Sequence, residues 1–134
     1  MTSIKEIIGI DDVAVERLRD VGVSTLEQLL ERGSSSGMRM RLADETQLDD
    51  ATIKQWVHQA DLMRVKGIGP EFAHLLCQVG VFTTPKLAYR STDALHADLI
   101  ECNYNLRTMG HLPGVAELHE FITSAKTLPK LVRH

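Results

Sequence analysis

The fold of this chain is decided by the stretch VKGIGP, residues 65–70, which lies between two segments with helical periodicity. Glycine reaches backbone angles that other residues avoid, so Gly67 and Gly69 allow a reversal of two or three residues between helices. Pro70 suits the first position of the second helix, because its missing N–H group would have no helical partner there. Ile68 lies between the glycines and is expected to point into the core. The stretch therefore predicts a tight turn whose outer edge presents bare backbone amides.

The outer edge of this turn is a predicted anion site. The first amides of a helix lack internal partners, and the helix dipole favours negative charge beside them. Lys66 lies within the turn and Arg64 lies two residues before it. A phosphate is the ligand that this combination fits. The other interpretation is a sharp corner between packed helices, which would be preferred for an isolated Gly-x-Gly.

Length and composition limit the possible functions. The chain has 134 residues, of which 43% are hydrophobic and 25% charged, as is typical of a globular protein. Its net charge of −3 argues against a strongly basic nucleic-acid-binding protein, although a local basic patch is compatible with it. Two cysteines without CxxC spacing favour a reduced, cytoplasmic compartment. No apolar run approaches the roughly 18 residues of a membrane helix, so no membrane association is predicted.

Helical periodicity accounts for the rest of the chain, and no strand pattern is present. Capping residues predict helix starts at Ser24 and Thr84, and glycines predict helix ends at Gly22 and Gly80. The serine-rich run 33–37 is predicted to be a loop. The sequence therefore predicts an all-α fold.

The chain repeats itself at an interval of 58 residues. We predict two tandem units, residues 1–62 and 63–134, joined by a shared helix that begins near Asp50. Such a helix would end the first unit and lead directly into the glycine turn of the second. The matching pairs are Gly9 and Gly67, Leu18 and Leu76, Gly22 and Gly80, Thr25 and Thr83, and Leu29 and Leu87.

The second unit resembles a helix-hairpin-helix motif, on the residues 65–73, Leu76 and Gly80-Val81. The whole chain is similar to a poorly characterised prokaryotic family of paired helix-hairpin-helix proteins. This resemblance implies that the hairpin amides hold a DNA phosphate without reading the sequence. In related proteins a hairpin of this type can also hold a monovalent cation on its carbonyls. The nucleic-acid-binding residues that the resemblance implies are Arg64, Lys66, Gly67, Ile68 and Gly69.

The first hairpin departs from this pattern, because Asp11-Asp12 takes the place of Gly69-Pro70. Asp11 can accept hydrogen bonds from the amides that a phosphate would use, and two carboxylates repel a phosphate. We therefore expect the first hairpin to be structural or to contact a protein. A single intact hairpin predicts weak, steeply salt-dependent binding of double-stranded DNA.

Two functions are compatible with this sequence. The first is non-enzymatic, sequence-independent DNA binding, which the intact Gly-Ile-Gly hairpin favours. The second is a protein-interaction or scaffold module that has lost DNA affinity, which the net charge and the first hairpin favour. Arg39 and Arg41 either extend a DNA surface or lie on a solvated face. No catalytic pair and no set of zinc ligands is recognisable, so neither an enzymatic activity nor a cofactor or metal is predicted.

Overall fold

A computed structural model of the chain describes residues 2–107 and 109–133. Over these residues the protein is all-helical, as predicted, with eight α-helices, one short 3-10 helix (Ile4–Glu6) and no strand. The α-helices are α1 (Asp12–Asp20), α2 (Leu26–Arg32), α3 (Ser36–Thr46), α4 (Asp50–Leu62), α5 (Pro70–Gln78), α6 (Thr84–Ala88), α7 (Thr92–Leu106) and α8 (Val115–Ala125).

The helices form two compact units. The first contains the described residues from 2 to 61 and from 131 to 133, and the second contains those from 62 to 130. Aliphatic side chains dominate the interior of each unit, in keeping with the small number of aromatic residues. Trp56 is buried in the first unit, and Phe72 packs against Phe121 in the second, with their ring centroids 5.7 Å apart.

Four glycines adopt left-handed backbone angles at equivalent places in the two units. Gly9 and Gly67 have φ values of +92° and +95°, and Gly22 and Gly80 have values of +90° and +87°. Other residues rarely adopt these angles, because the Cβ atom would crowd the backbone. The predicted turn at Gly67 and the predicted helix ends at Gly22 and Gly80 are confirmed.

The backbone hydrogen bonds around these glycines also recur at the 58-residue interval. After α1, the Val23 N–H donates to the Leu18 carbonyl at 2.9 Å, and after α5 the Val81 N–H donates to Leu76 at 2.9 Å. The two segments therefore share the same local conformation. Further equivalent donor–acceptor pairs are Ile7→Ile4 and Val65→Leu62, Val15→Asp11 and Ala73→Gly69, and Leu29→Thr25 and Leu87→Thr83.

The α4 helix of the first unit and the α8 helix of the second bury the same pattern of residues. The spacing between equivalent positions is 65 residues here, so the later part of the second unit is longer. In both helices the buried residues follow helical spacing and form one apolar face. The equivalent buried pairs are Ile53 and Leu118, Trp56 and Phe121, Val57 and Ile122, and Ala60 and Ala125.

Two predicted capping residues were wrong by one position. The cap of α2 is Thr25 rather than Ser24, and its hydroxyl accepts the Gln28 amide at 3.2 Å in a reciprocal capping box. The cap of α6 is Thr83, while Thr84 is fully buried. In each case two adjacent hydroxyl residues compete, and the one with extended backbone geometry at the helix edge becomes the cap.

The predicted loop at residues 33–37 is confirmed for residues 33–35, but the prediction was wrong for the last two positions, because α3 begins at Ser36. The Ser35 hydroxyl accepts the Met38 amide at 3.3 Å and so caps this helix. Gly33 is buried, and a Cβ atom there would lie 2.6 Å from Cγ2 of Val57. The run is therefore a short loop that also supplies the cap of α3 and a close contact with α4.

Candidate nucleic-acid interface

The glycine turn between α4 and α5 has an apolar inner side and a polar outer edge. Val65 and Ile68 are 1% and 5% exposed, and the Ile68 N–H donates to the Val65 carbonyl at 3.0 Å. Lys66 and Gly67 are exposed. The prediction that Ile68 anchors the turn in the core is confirmed, and the outer edge faces solvent.

Position 67 requires glycine for two reasons: its φ is positive, and a side chain there would have no room. A Cβ atom at this position would lie 2.9 Å from Cε1 of Phe121, on α8. That distance is shorter than real Cβ contacts, so the aromatic ring would have to move. The turn is thus packed directly against α8, which holds it in one conformation.

Gly69 has a different role from the one its type suggests. Its φ and ψ are −91° and −177°, an extended conformation open to any residue, and a Cβ atom there would meet nothing within 4 Å. The predicted need for glycine freedom at Gly69 was therefore wrong. Gly69 is the N-cap of α5, and no side chain of the described residues caps this helix start. Pro70 follows in the first turn, as predicted.

The first hairpin has nearly the same backbone angles as the second, but a side chain caps its helix start. Asp11 has φ and ψ of −95° and 169°, close to those of Gly69, and its Oδ1 accepts the Ala14 amide at 2.7 Å. The buried Gln59 side chain bonds both backbone groups of Ile8, accepting its N–H and donating to its carbonyl at 3.2 Å each. Asp11 thus acts as the predicted cap. No local pattern in the sequence indicates the Gln59 contact.

The two basic residues predicted beside the second hairpin have different surroundings. Lys66 is exposed on the turn. Arg64 is half-buried, and its guanidinium donates to the Pro129 carbonyl at 2.7 Å and to the Thr84 hydroxyl at 3.5 Å. The structure therefore brings Lys66 to the edge formed by Gly67 and Gly69, while it holds Arg64 against its own unit.

Arg39 lies neither on a solvated face nor on a nucleic-acid surface, which corrects both interpretations of this residue. Its side chain is 3% exposed and donates to the Gly33 carbonyl at 2.8 Å and to the Arg133 carbonyl at 3.0 Å. Burial lowers the pKa of the Arg39 guanidinium, and the carboxylate of Asp50 partly opposes this effect. A buried cation that donates to main-chain carbonyls is a structural group.

The described residues offer few other groups that could bind a metal ion or act as a nucleophile. These residues contain no group of three or more His, Cys, Asp or Glu side chains that could hold a metal ion. Burial raises the pKa of the Cys77 thiol to about 12, so this thiol stays protonated and is a poor nucleophile at neutral pH.

An open depression of about 580 Å³ is lined by Asp44, Asp49 and Asp50 among others, and this acidic lining does not suit a phosphate. None of the helices in the described ranges is both long and apolar enough to cross a membrane.

A family model described as "Domain of unknown function (DUF4332)" matches residues 8–128, which include both glycine turns. The chain belongs to the DUF4332 family. No curated protein and no solved structure matches the chain. The DUF4332 description assigns no activity, so a function has to be argued from the geometry of the two hairpins.

Proposed function

We propose that the chain is a non-enzymatic nucleic-acid-binding module that holds the phosphate backbone of double-stranded DNA at its second hairpin. In this proposal the two units are tandem helix-hairpin-helix repeats, with α4 as the helix shared between them. The recurrence of the left-handed glycines and of the hydrogen bonds around them supports the repeat.

The proposed grip uses main-chain donors and one point charge. The uncapped start of α5 and the exposed edge at Gly67 present amides and the positive end of a helix dipole to a phosphate. Lys66 adds a flexible positive charge beside them, and Ile68 fixes the turn from inside. Phosphate contacts of this kind position a protein on DNA without reading its bases. The binding is therefore independent of sequence.

The observation that carries this proposal is the contrast between Asp11 and Gly69. Both residues have nearly the same backbone angles at the start of equivalent helices. Asp11 fills the site with its own carboxylate, whereas Gly69 leaves it without any side-chain acceptor. The backbone conformation at position 69 does not require glycine, and a capping side chain there would block the amides at the start of α5. The glycine therefore favours a ligand that takes the position of the cap.

The expected affinity is low. One hairpin with Lys66, and with Arg64 contributing only its charge, neutralises about one to three phosphates, so the logarithm of the binding constant should fall with log[salt] at a slope of about −1 to −3. The net charge of −3 opposes association further. We expect dissociation constants in or above the range of about 10⁻⁴–10⁻⁶ M that is typical of non-specific sites.

A scaffold function is the second candidate, and the first hairpin favours it. Ile8 and Val13, which stand where the second hairpin has Lys66 and Glu71, are 37% and 56% exposed. With Asp11 and Asp12 beside them, these side chains form a mixed apolar and acidic surface that is typical of protein contacts. If this is the main function of the chain, the second hairpin should have no measurable affinity for DNA.

Binding of a labelled DNA duplex by fluorescence anisotropy, measured from 20 to 200 mM salt, tests the proposal. We expect Lys66→Glu to weaken binding at low salt at least tenfold and to reduce the salt slope by about 1. Lys54→Glu is the matched control, because Lys54 is exposed on α4 and the change in net charge is identical. Equal effects of the two reversals, or no binding by the wild-type chain at 20 mM salt, would contradict the proposal.

A further inference from the structure

The last described residues form a segment without regular secondary structure that belongs to the first unit. We call Leu131–Arg133 the strap. The Arg133 N–H donates to the Ser34 carbonyl at 2.6 Å, and the Arg133 carbonyl accepts from Nη2 of Arg39 at 3.0 Å. Val132 is 6% exposed, whereas Leu131 and Arg133 are exposed. One buried side chain and two main-chain hydrogen bonds therefore hold the strap.

The receiving groups are built into the corner between α2 and α3. We call Gly33, Ser34 and Arg39 the strap site. A Cβ atom on Gly33 would lie 3.5 Å from Cγ of Arg39, and the Gly33 carbonyl accepts from Nη1 of the same side chain at 2.8 Å. The hydrogen bond to Gly33 places the buried guanidinium with its second nitrogen directed at the strap. Removal of the strap would leave that nitrogen without its carbonyl acceptor, so the site favours an occupant of the same kind.

We propose that the strap site binds an extended peptide segment, and that the strap of a second copy of this chain can occupy it in exchange for the chain's own. The site bonds both main-chain groups of Arg133, its N–H and its carbonyl, and the preceding β-branched residue, Val132, is buried. This is the chemistry by which extended peptides are commonly recognised. The occupant is therefore defined by an apolar residue followed by a residue with a free N–H group, and not by the charge of the arginine.

The surroundings of the strap favour exchange. Lys130 and Leu131, which lead into it, are exposed, so the hinge for exchange follows Pro129, whose carbonyl accepts from the Arg64 guanidinium at 2.7 Å. Exchange of an identical element between two copies creates no new kind of contact, so it is a low-cost route to a dimer. Because the chain's own strap competes at an effective concentration of the order of millimolar, we expect exchange to be measurable only at high protein concentration.

A peptide titration tests the proposed site directly. The receptor is a chain that ends at Lys130, and the probe is an acetylated peptide with the sequence of residues 129–134, followed by NMR shifts at Ser34 and at the Arg39 side chain. We expect saturable shifts with the shortened chain. The peptide should bind the full-length chain at least tenfold more weakly, because its own strap already occupies the site. A peptide with Val132→Asp, or with an N-methyl group on the Arg133 amide, should bind at least tenfold more weakly, while Arg133→Ala should bind within about twofold of wild type.

A second receptor keeps the test independent of truncation. The full-length Val132→Asp chain should release its own strap and bind the wild-type peptide as the shortened chain does. In sedimentation equilibrium near 1 mM, the wild-type and Arg133→Ala chains should form dimers, and the Val132→Asp chain should stay monomeric. The proposal is overturned if the peptide causes no shifts, if the N-methyl peptide binds equally well, if the wild-type chain stays monomeric near 1 mM, or if both receptors unfold because the strap is an obligatory part of the first unit.

Discussion

Gly67 and Gly69 look interchangeable in the sequence, yet they meet different physical requirements. Gly67 has a φ of +95° and faces the ring of Phe121, whereas Gly69 is extended with open space where a side chain would project. Only Gly67 is required by the fold. A spacing pattern identifies the turn, but it does not distinguish a conformational glycine from one that keeps a surface bare.

The first prediction concerns these two positions. Gly67→Ala should lower the free energy of unfolding by about 1–3 kcal/mol from backbone strain alone, with a further loss from the overlap with Phe121. Gly69→Ala should cost less than about 1 kcal/mol, the effect of a poorer N-cap. Urea unfolding of both variants measures the difference. Equal destabilisation would show that the turn has a different conformation.

The second prediction concerns the partly buried thiol of Cys77, whose pKa burial raises to about 12 from an unfolded value near 9. Between these values the unfolded chain releases the thiol proton and the folded chain keeps it, so this group makes folding less stable as the pH rises. The free energy of unfolding should fall from pH 9 to 11 more steeply than in Cys77→Ala, by up to about 1.4 kcal/mol per pH unit. Parallel pH profiles for the two proteins would contradict the assignment.

At the level of elements, α4 has a role that its apolar periodicity does not indicate. Its buried Gln59 bonds both backbone groups of Ile8, which is 51 residues away in the sequence. Local patterns predicted the existence of all the helices that carry the two hairpins, because caps, glycines and apolar spacing are local signals. They do not decide which apolar residues are buried: Ile100 on α7 and Val115 on α8 are 49% and 44% exposed.

The third prediction tests the role of Gln59. Gln59→Leu keeps the approximate volume but leaves the Ile8 N–H and carbonyl without their partner, which should cost about 1–3 kcal/mol of stability. Amide exchange at Ile8 should accelerate as the first hairpin loosens. Gln55→Leu, on an exposed position of the same helix, is the matched control and should change stability by less than about 0.5 kcal/mol. Unchanged exchange at Ile8 in Gln59→Leu would argue against this contact.

At the level of the whole molecule, the sequence predicted an all-helical chain, as observed over the described residues, but not the long-range contacts that complete the first compact unit. The hydrogen bonds of Arg39 to Arg133 and of Gln59 to Ile8 join residues 94 and 51 positions apart. The local sequence does not indicate that Arg39 and Gln59 are buried, because a buried polar residue cannot be distinguished from an exposed one until its partner is known. The candidate site was more predictable, since the turn, the proline and Lys66 are contiguous in the chain.

The family match extends over both hairpins, residues 8–128, and leaves the strap outside it. The proposed nucleic-acid grip and the proposed strap site therefore concern different parts of the chain. A failure of either experiment leaves the other proposal intact.

Duplex binding by Gly69→Asp is the most direct test of the proposed phosphate grip. The substitution copies Asp11, whose carboxylate caps the equivalent helix with the same backbone angles, so the variant should fold with a stability equal to or slightly above that of the wild type. With Gly69→Ala as the control, which leaves the amides bare, we predict wild-type affinity within about threefold for alanine and a loss of at least tenfold for aspartate. If the aspartate variant binds duplex DNA as well as the wild type does, the amides at the start of α5 do not hold a phosphate.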